Sequence, residues 1–355
     1  MKTIIYKKIE SKLLQDWVYL WENSPYANYV NSPYWFLSVM ENFKYKDYVI
    51  ICVYKSNHLA ALVALIKEKK YCVDFYTVPP GDFVCGTPFL VDPKDAKIMR
   101  VLVKKLLETG NIFIDNVPED IIACLKKNTS EIDFASYSLN YYMSLHKDET
   151  GQVFIRNKKK LMRRAHDIEE KLKLKSFNGE NPDILKIAFA IDQESRKKTR
   201  GYNAFSCEDT KGFYGSLAKH FKKNFLINIL YHGNKPIAYE MGFVVGSTFF
   251  CSQISSLKEY DRYSLGRVLL IKLFEDLVTK NVNTIDFGSG DDHVKKSFTK
   301  EYRALYKVII SKKIVIRNYL KITYQCKNIM FNYLQHHMTA YSLYRNIKTL
   351  LIIRA

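Results

Sequence analysis

Four carboxylates in the second half of the chain stand in settings where a general base could take a proton from a reacting group: Glu194, Glu240, Asp286 and Asp291. Glu240 interrupts the apolar run Ile237–Phe243, where a carboxylate is costly unless it is paired or used. Its plain alternative is an outward-facing strand position. Asp286 lies near the end of the run Thr284–Phe287, which reads as a buried strand aimed at a cleft. Asp291 follows Gly288-Ser289-Gly290 and is equally suited to cap a short helix over 292–299. Glu194 belongs to the cluster Glu194-Ser195-Arg196-Lys197, for which a solvated helix face is the simpler account.

A second group suits anion binding. Arg262, Ser264, Leu265, Gly266 and Arg267 lie where a loop enters a helix expected over 265–280, with Ser264 as its cap. The first turn of a helix presents free backbone N–H groups and the positive end of the dipole, and flanking guanidiniums add charge-assisted bonds, so this junction suits a pyrophosphate. Gln253, Tyr263, Lys295 and Arg196 are polar groups near the same cleft and are candidates for substrate binding.

Other chemistries lack their residues. There is no G-x-S-x-G elbow and no Walker loop, and Gly288-Ser289-Gly290 lacks the third glycine of a dinucleotide fingerprint. The seven cysteines are scattered singly, with no histidine at zinc-ligand spacing, so no metal is expected and a reducing compartment is. No signal peptide and no apolar membrane span is read, which gives the expectation of a cytoplasmic body.

The elements that must position these groups follow from periodicity. Helices are expected over 10–24, from Ser32-Pro33, over 93–109 and 118–128, as a basic segment within 151–175, and over 182–198 and 209–222. Strands are expected over 48–54, 59–66, 71–77, 111–115 and 134–145, then as a three-strand meander over 225–231, 236–245 and 248–255, and last over 284–287 and 304–310. The chain has 355 residues, 47% of them apolar, which suits two α/β units at 1–150 and 151–310. The fold class is α/β (α+β), with mixed, largely antiparallel sheets flanked by helices. A basic helical tail over 311–355 completes it. After Glu301 no acidic residue occurs, and ten Lys and Arg interleave with apolar positions, a composition suited to an anionic membrane surface or to a helix packed back on the body. The net charge of +19 favours anionic partners in general.

Residues 155–310 resemble the GNAT-like acyltransferases of the cellulose-biosynthesis CelD/BcsL group, relatives of the Fem-type aminoacyltransferases. The resemblance rests on Asn157-Lys-Lys-Lys-Leu-Met-Arg-Arg164, Glu194-Ser-Arg-Lys197, Gly233-Asn-Lys-Pro-Ile-Ala238 and Ile285-Asp-Phe-Gly-Ser-Gly-Asp291 with Lys295. The ordinary phosphate-loop pattern is not kept, and aligns as Tyr263, Gly266 and Val268. The resemblance implies tandem GNAT-like units, the first without a donor loop of its own. It also implies transfer of an acyl group from acyl-CoA or acyl-carrier protein to an amine on a small molecule or glycan, such as an amino sugar or cell-envelope polysaccharide precursor. Aminoacyl transfer from charged tRNA and a non-catalytic surface module are the other expectations.

Overall fold

Ser56 and Asn57 both adopt positive φ, 50° and 66°, and so turn the chain tightly between two apolar strands. These strands, β2 (Tyr48–Lys55) and β3 (His58–Lys70), pair antiparallel and form the centre of the first half. The computed structural model describes residues 1–70, 72–78, 86–145, 158, 162–199, 203–290 and 292–336. Around the first hairpin stand β1 (Lys2–Tyr6), α1 (Ser11–Asn23), α2 (Pro33–Asn42), β4 (Val73–Thr77), β5 (Phe89–Leu90), α3 (Ala96–Thr109), β6 (Ile112–Pro118), α4 (Glu119–Asn128) and β7 (Ile132–Ser144). Ser32 caps α2 as expected, its side chain accepting from Trp35 N at 3.0 Å.

The second half runs β8 (Leu172–Asn178), α5 (Asp183–Gln193), α6 (Arg196–Thr199), α7 (Glu208–Phe221), β9 (Phe225–His232), β10 (Lys235–Val245), β11 (Thr248–Ser256), α8 (Leu265–Thr279), β12 (Thr284–Ser289), α9 (His293–Phe298), β13 (Tyr302–Ile310) and α10 (Ile314–His336). The meander β9-β10-β11 falls where periodicity put it. The start of the helix expected within 151–175 falls largely outside the described residues, among which Lys158 and Met162 are helical; from there the chain makes a 3-10 turn at Arg163–Ala165, a second at Glu169–Lys171, and then β8. Leu172 and Leu174 alternate with Lys173 and Lys175 there, a strand's period of two.

All the described strands join one mixed sheet, in the order β1-β2-β3-β4-β6-β13-β7-β12-β11-β10-β9-β8, with β5 beside β3. The last strand therefore does not close the second half, as its place in sequence suggests. It inserts between β6 and β7 of the first half, while β7 pairs in turn with β12. The two halves also interlock through their helices. α2 packs on α7, where Trp35 meets Phe213 at 5.0 Å, and Tyr29 stacks on Phe243 at 4.6 Å. The expected boundary at 150 lies outside the described residues.

Each half repeats one pattern. In the first, α3 links the antiparallel strands to β6, which pairs parallel with β4; in the second, α8 links the meander to β12, which pairs parallel with β11. The two helix starts differ chemically. Asp95 caps α3, its carboxylate accepting from Lys97 N and Ile98 N at 3.1 Å each, whereas no side chain caps α8. A carboxylate already fills the anion position at α3.

Candidate active site

The parallel ladder of β11 and β12 is only three rungs long: Thr248↔Thr284, Phe249↔Ile285 and Phe250↔Asp286. Beyond the last rung β11 continues to Ser256 against β10, while β12 stays with β7, its partner from Thr284↔Ser144 to Ser289↔Asn140. The strands diverge into a V, and no described strand pairs with the β12-facing edge of β11 from Ser252 to Ser256. One residue, Ser252, is extra on β11 at this place, because Met241 faces Gln253 while Gly242 faces Cys251. Such a bulge re-aims backbone groups and frees them from the ladder.

Helix α8 begins beside the open end of the V. Ser264 occupies its N-cap position with φ 54°, and its side chain makes no capping bond, contrary to the expected role. Its Oγ instead accepts from Arg164 Nη1 at 3.4 Å, so the basic turn Arg163–Ala165 is brought against the loop Lys258–Tyr263 and the α8 start. No local pattern in the sequence links residues 100 positions apart. Leu265 is buried, and Gly266 faces Ile254 of β11. A Cβ on Gly266 would meet nothing nearer than Ile254 Cδ1 at 3.5 Å, so the junction is open as well as cationic. Arg262 is exposed; its guanidinium lies over the ring of Tyr263, 4.6 Å from the centroid, and donates to the Tyr263 hydroxyl. That hydroxyl donates to Asp167 Oδ2 at 3.2 Å, so Tyr263 is buried structure at the rim. Arg267 is half-buried in the first turn of α8. Arg164, Arg262, Arg267 and the free N–H groups of this turn could hold an anionic donor group.

Two basic residues from α6 approach the same edge. Lys197 Nζ donates to Ile254 O at 2.6 Å, occupying one backbone acceptor of β11, and burial pushes its ammonium below the ordinary lysine value. Arg196 is exposed and faces Asp261 at 3.9 Å. Gln253 stands half-buried beside the bulge. Glu194 does not face the V. It is exposed and lines a separate hollow of about 370 Å³ with Lys186, Lys235 and Leu257.

On the sheet face opposite α8 lies a larger cavity, of about 590 Å³, shared by both halves. Its wall includes Phe250 and Asp286, the last rung before the V opens, and it is closed by Asn28, Asn140, Tyr142 and Arg303. Asp286 is 1% exposed and accepts from three donors: Gly288 N at 2.8 Å, Asn140 Nδ2 at 3.0 Å and the Arg303 guanidinium. Those bonds make it an anchor of the wall. Asn140 is 1% exposed, and its Oδ1 has no partner among the described residues. An orphaned buried acceptor costs about 1–3 kcal/mol unless a ligand or water supplies the donor. The described lining holds three carboxylates, Glu119, Asp120 and Asp286, against one guanidinium, which inverts the sign of the chain's overall +19.

Glu240 is fully buried on the α8 side of the sheet, in a row with Ser176, Asn228 and Ile254. Asn228 Nδ2 donates to its Oε2 at 2.8 Å, while Oε1 has no partner among the described residues. Burial pushes its carboxyl up to about 8, against the opposing effect of the Asn228 bond. Lys295 Nζ donates to Gly288 O at 3.1 Å and Ser289 O at 2.6 Å, pinning the loop that follows β12. The cap of α9 is Asp292, which accepts from Val294 N and Lys295 N, and not the neighbouring Asp291, which lies outside the described residues. Sequence reasoning missed Asn140 and Arg303, since nothing around them repeats or stands out; the basic run ending in Arg164 stood out, but not its meeting with Ser264.

Residues 154–296 match the family model described as "Acetyltransferase (GNAT) domain". Over that stretch, less than half of its length, the chain is similar to GNAT-type acetyltransferase domains. The solved structure described as FemX superposes with a TM-score of 0.61 at 11% identity, covering 87% of this chain and 96% of that one. A conserved protein of unknown function from Bacteroides thetaiotaomicron gives 0.58 at 13% identity, covering 86% of this chain and 100% of the other. The C-terminal domain of a protein described as a lysylphosphatidylglycerol synthetase, from Agrobacterium fabrum, gives 0.54 at 10% identity over 77% of this chain and 86% of its own. At these identities the likeness is one of fold. No curated protein matches the sequence. The CelD/BcsL group does not figure among these matches.

Proposed function

We propose that this protein is an N-acyltransferase whose acyl donor lies in the V between β11 and β12, with its anionic portion on the first turn of α8. The observation that carries this reading is the open start of α8 beside the edge of β11, where no side chain caps the helix, Arg164 bonds the N-cap Ser264, and Arg262 and Arg267 flank the turn in sequence. Acyl-CoA supplies an activated thioester with a pyrophosphate that suits this junction; acyl-carrier protein offers the same thioester. The freed backbone at the Ser252 bulge is placed to bond the donor and the oxyanion that develops on its carbonyl.

The acceptor is an amine entering from the cavity on the opposite face. Three carboxylates at that cavity draw a cationic amine, Asn140 Oδ1 accepts from it, and the Phe250–Asp286 rung separates it from the V by a single layer of backbone. With the two partners oriented, the amine nitrogen bonds the thioester carbon, the carbon–sulfur bond breaks, and the proton lost by the amine goes to the departing thiolate, which leaves as free thiol. An amino sugar or cell-envelope polysaccharide precursor fits the class, with the inner face of the membrane as the place of work.

Aminoacyl transfer from charged tRNA is the second reading, favoured by the +19 charge and by the neighbours named FemX and lysylphosphatidylglycerol synthetase. The test incubates the full chain with acyl-CoA and a panel of amines and follows amine-dependent release of the free thiol. Release that disappears in Gly266→Trp supports the proposal. Transfer from aminoacyl-tRNA with no release from any acyl-CoA supports the second reading and overturns the first.

A further inference from the structure

Lys197 carries a cation to the V itself. Leu257 N donates to Ile237 O of β10 at 2.9 Å. By the alternation of an antiparallel ladder, Gln253 and Ser255 turn their backbone groups to β10 as well, while those of Ile254 and Ser256 face the opposite edge, which lines the V. Lys197 Nζ meets that edge at Ile254 O, 2.6 Å away. The Ser195↔Leu257 bridge and the bond from Lys258 N to Glu194 O, at 3.1 Å, fix the segment that delivers it. Ile254 therefore joins two parts of the site: its side chain meets the Gly266 turn of α8, and its carbonyl holds the ammonium. The Ser252 bulge lies two residues away, about 7 Å along the strand. A donor that runs from the α8 turn to the bulge passes the Lys197 ammonium.

The surroundings leave this cation poorly compensated. Among the described residues no carboxylate stands within ion-pair distance of it. Asp192 of α5 is the carboxylate that acts on it, and Asp192 is fully buried and already accepts from the Tyr239 hydroxyl at 3.0 Å and from Phe205 N at 3.1 Å. Arg196 turns to Asp261, Glu194 lines the separate hollow, and Glu240, opposite Ile254 on β10, lies on the α8 face. Burial therefore prevails and moves the ammonium from the ordinary lysine value toward that of a thiol. A buried ammonium held by one neutral acceptor is costly, which marks a functional group rather than a packing one.

We propose that Lys197 is the acid that protonates the departing thiolate in acyl transfer, an inference that rests on the acyltransferase reading. The amine nitrogen bonds the thioester carbon, the carbon–sulfur bond breaks with its electron pair on sulfur, and the ammonium gives sulfur its proton. The neutral Lys197 amine then takes the proton shed by the attacking nitrogen, so the side chain ends as it began and the products are an amide and a free thiol.

The test compares the full chain with Lys197→Met and Lys197→Arg. Amine-dependent thiol release is followed at saturating acyl-CoA, and donor affinity is read by calorimetry. Lys197→Met is expected to keep donor affinity within about threefold and to lose about 100-fold or more in kcat. Lys197→Arg keeps the charge and a donor for Ile254 O but does not release a proton, so it is expected to lose kcat to a similar degree. Wild-type kcat falls as pH rises through the lowered lysine value, and the residual rate of either variant shows no such fall. Circular dichroism reports folding, and the arginine variant carries the test where methionine does not fold. Near-wild-type kcat in Lys197→Arg makes the lysine an anchor for Ile254 and overturns the inference. So does a loss confined to donor affinity. Wild type that releases no thiol from any acyl-CoA overturns the acyltransferase reading, and this inference with it.

Discussion

Replacing Glu240 by Gln separates a buried structural acid from a catalytic one. The Glu240 carboxyl has no exposed surface, and burial lifts it from 4.5 to about 8. The folded state therefore keeps a proton that the unfolded chain releases above its own lower value. Stability is highest below about 4.5, falls as pH rises toward 8, and levels off once both states are ionised. Each tenfold difference in proton affinity is worth about 1.4 kcal/mol, so the full fall is on the order of 5 kcal/mol, with about 3 kcal/mol lost by pH 7. A glutamine cannot ionise; it still accepts from Asn228 Nδ2, and its own amide can donate toward Asn228 Oδ1, which has no partner among the described residues. Urea unfolding of wild type and Glu240→Gln across pH 5 to 9 is the assay. The two are expected to match near pH 5 and to separate by several kcal/mol at pH 8 and above, the variant being the more stable, with acyl transfer retained. A difference that does not change with pH refutes the account of burial, and loss of transfer in a well-folded variant restores Glu240 as a base.

Three further outcomes are expected. Arg164→Ala or Arg267→Ala weakens donor binding about 5- to 10-fold, more at low salt than at high, as measured by calorimetry at two ionic strengths. Gly242→Ala lowers stability by about 1–3 kcal/mol in denaturant unfolding, since its Cβ would stand 2.4 Å from Phe249 Cζ and 2.5 Å from Phe250 O. Arg303→Met leaves the buried Asp286 carboxylate with only neutral donors, and is expected to raise the KM for the amine while donor affinity, read separately, stays as it was.

The local patterns carried much of this architecture. The meander, the α8 helix and the β12 strand each announce themselves by period, and the loop-to-helix junction at Gly266 lies where the sequence puts it. What the sequence hid is long-range. No feature of Tyr302–Ile310 says that it will lie between two strands of the first half, because β pairing leaves no mark in a strand's own pattern. Arg164 and Ser264 meet only once the chain has folded. Lys295 shows the opposite error: a motif lysine expected to meet substrate bonds two backbone carbonyls, because a loop with Gly288 at φ 74° and Gly290 at φ 113° leaves acceptors that need a donor. The segment 171–175 was misread from its charge, although its alternation gave the strand.

The placement of the donor is the central claim, and titration calorimetry of acyl-CoA into the full chain tests it most directly. Wild type and Gly266→Ala are expected to bind alike, because a methyl fits at 3.5 Å from Ile254, while Gly266→Trp fills the junction and abolishes binding. Binding that survives the tryptophan contradicts the claim and places the donor elsewhere.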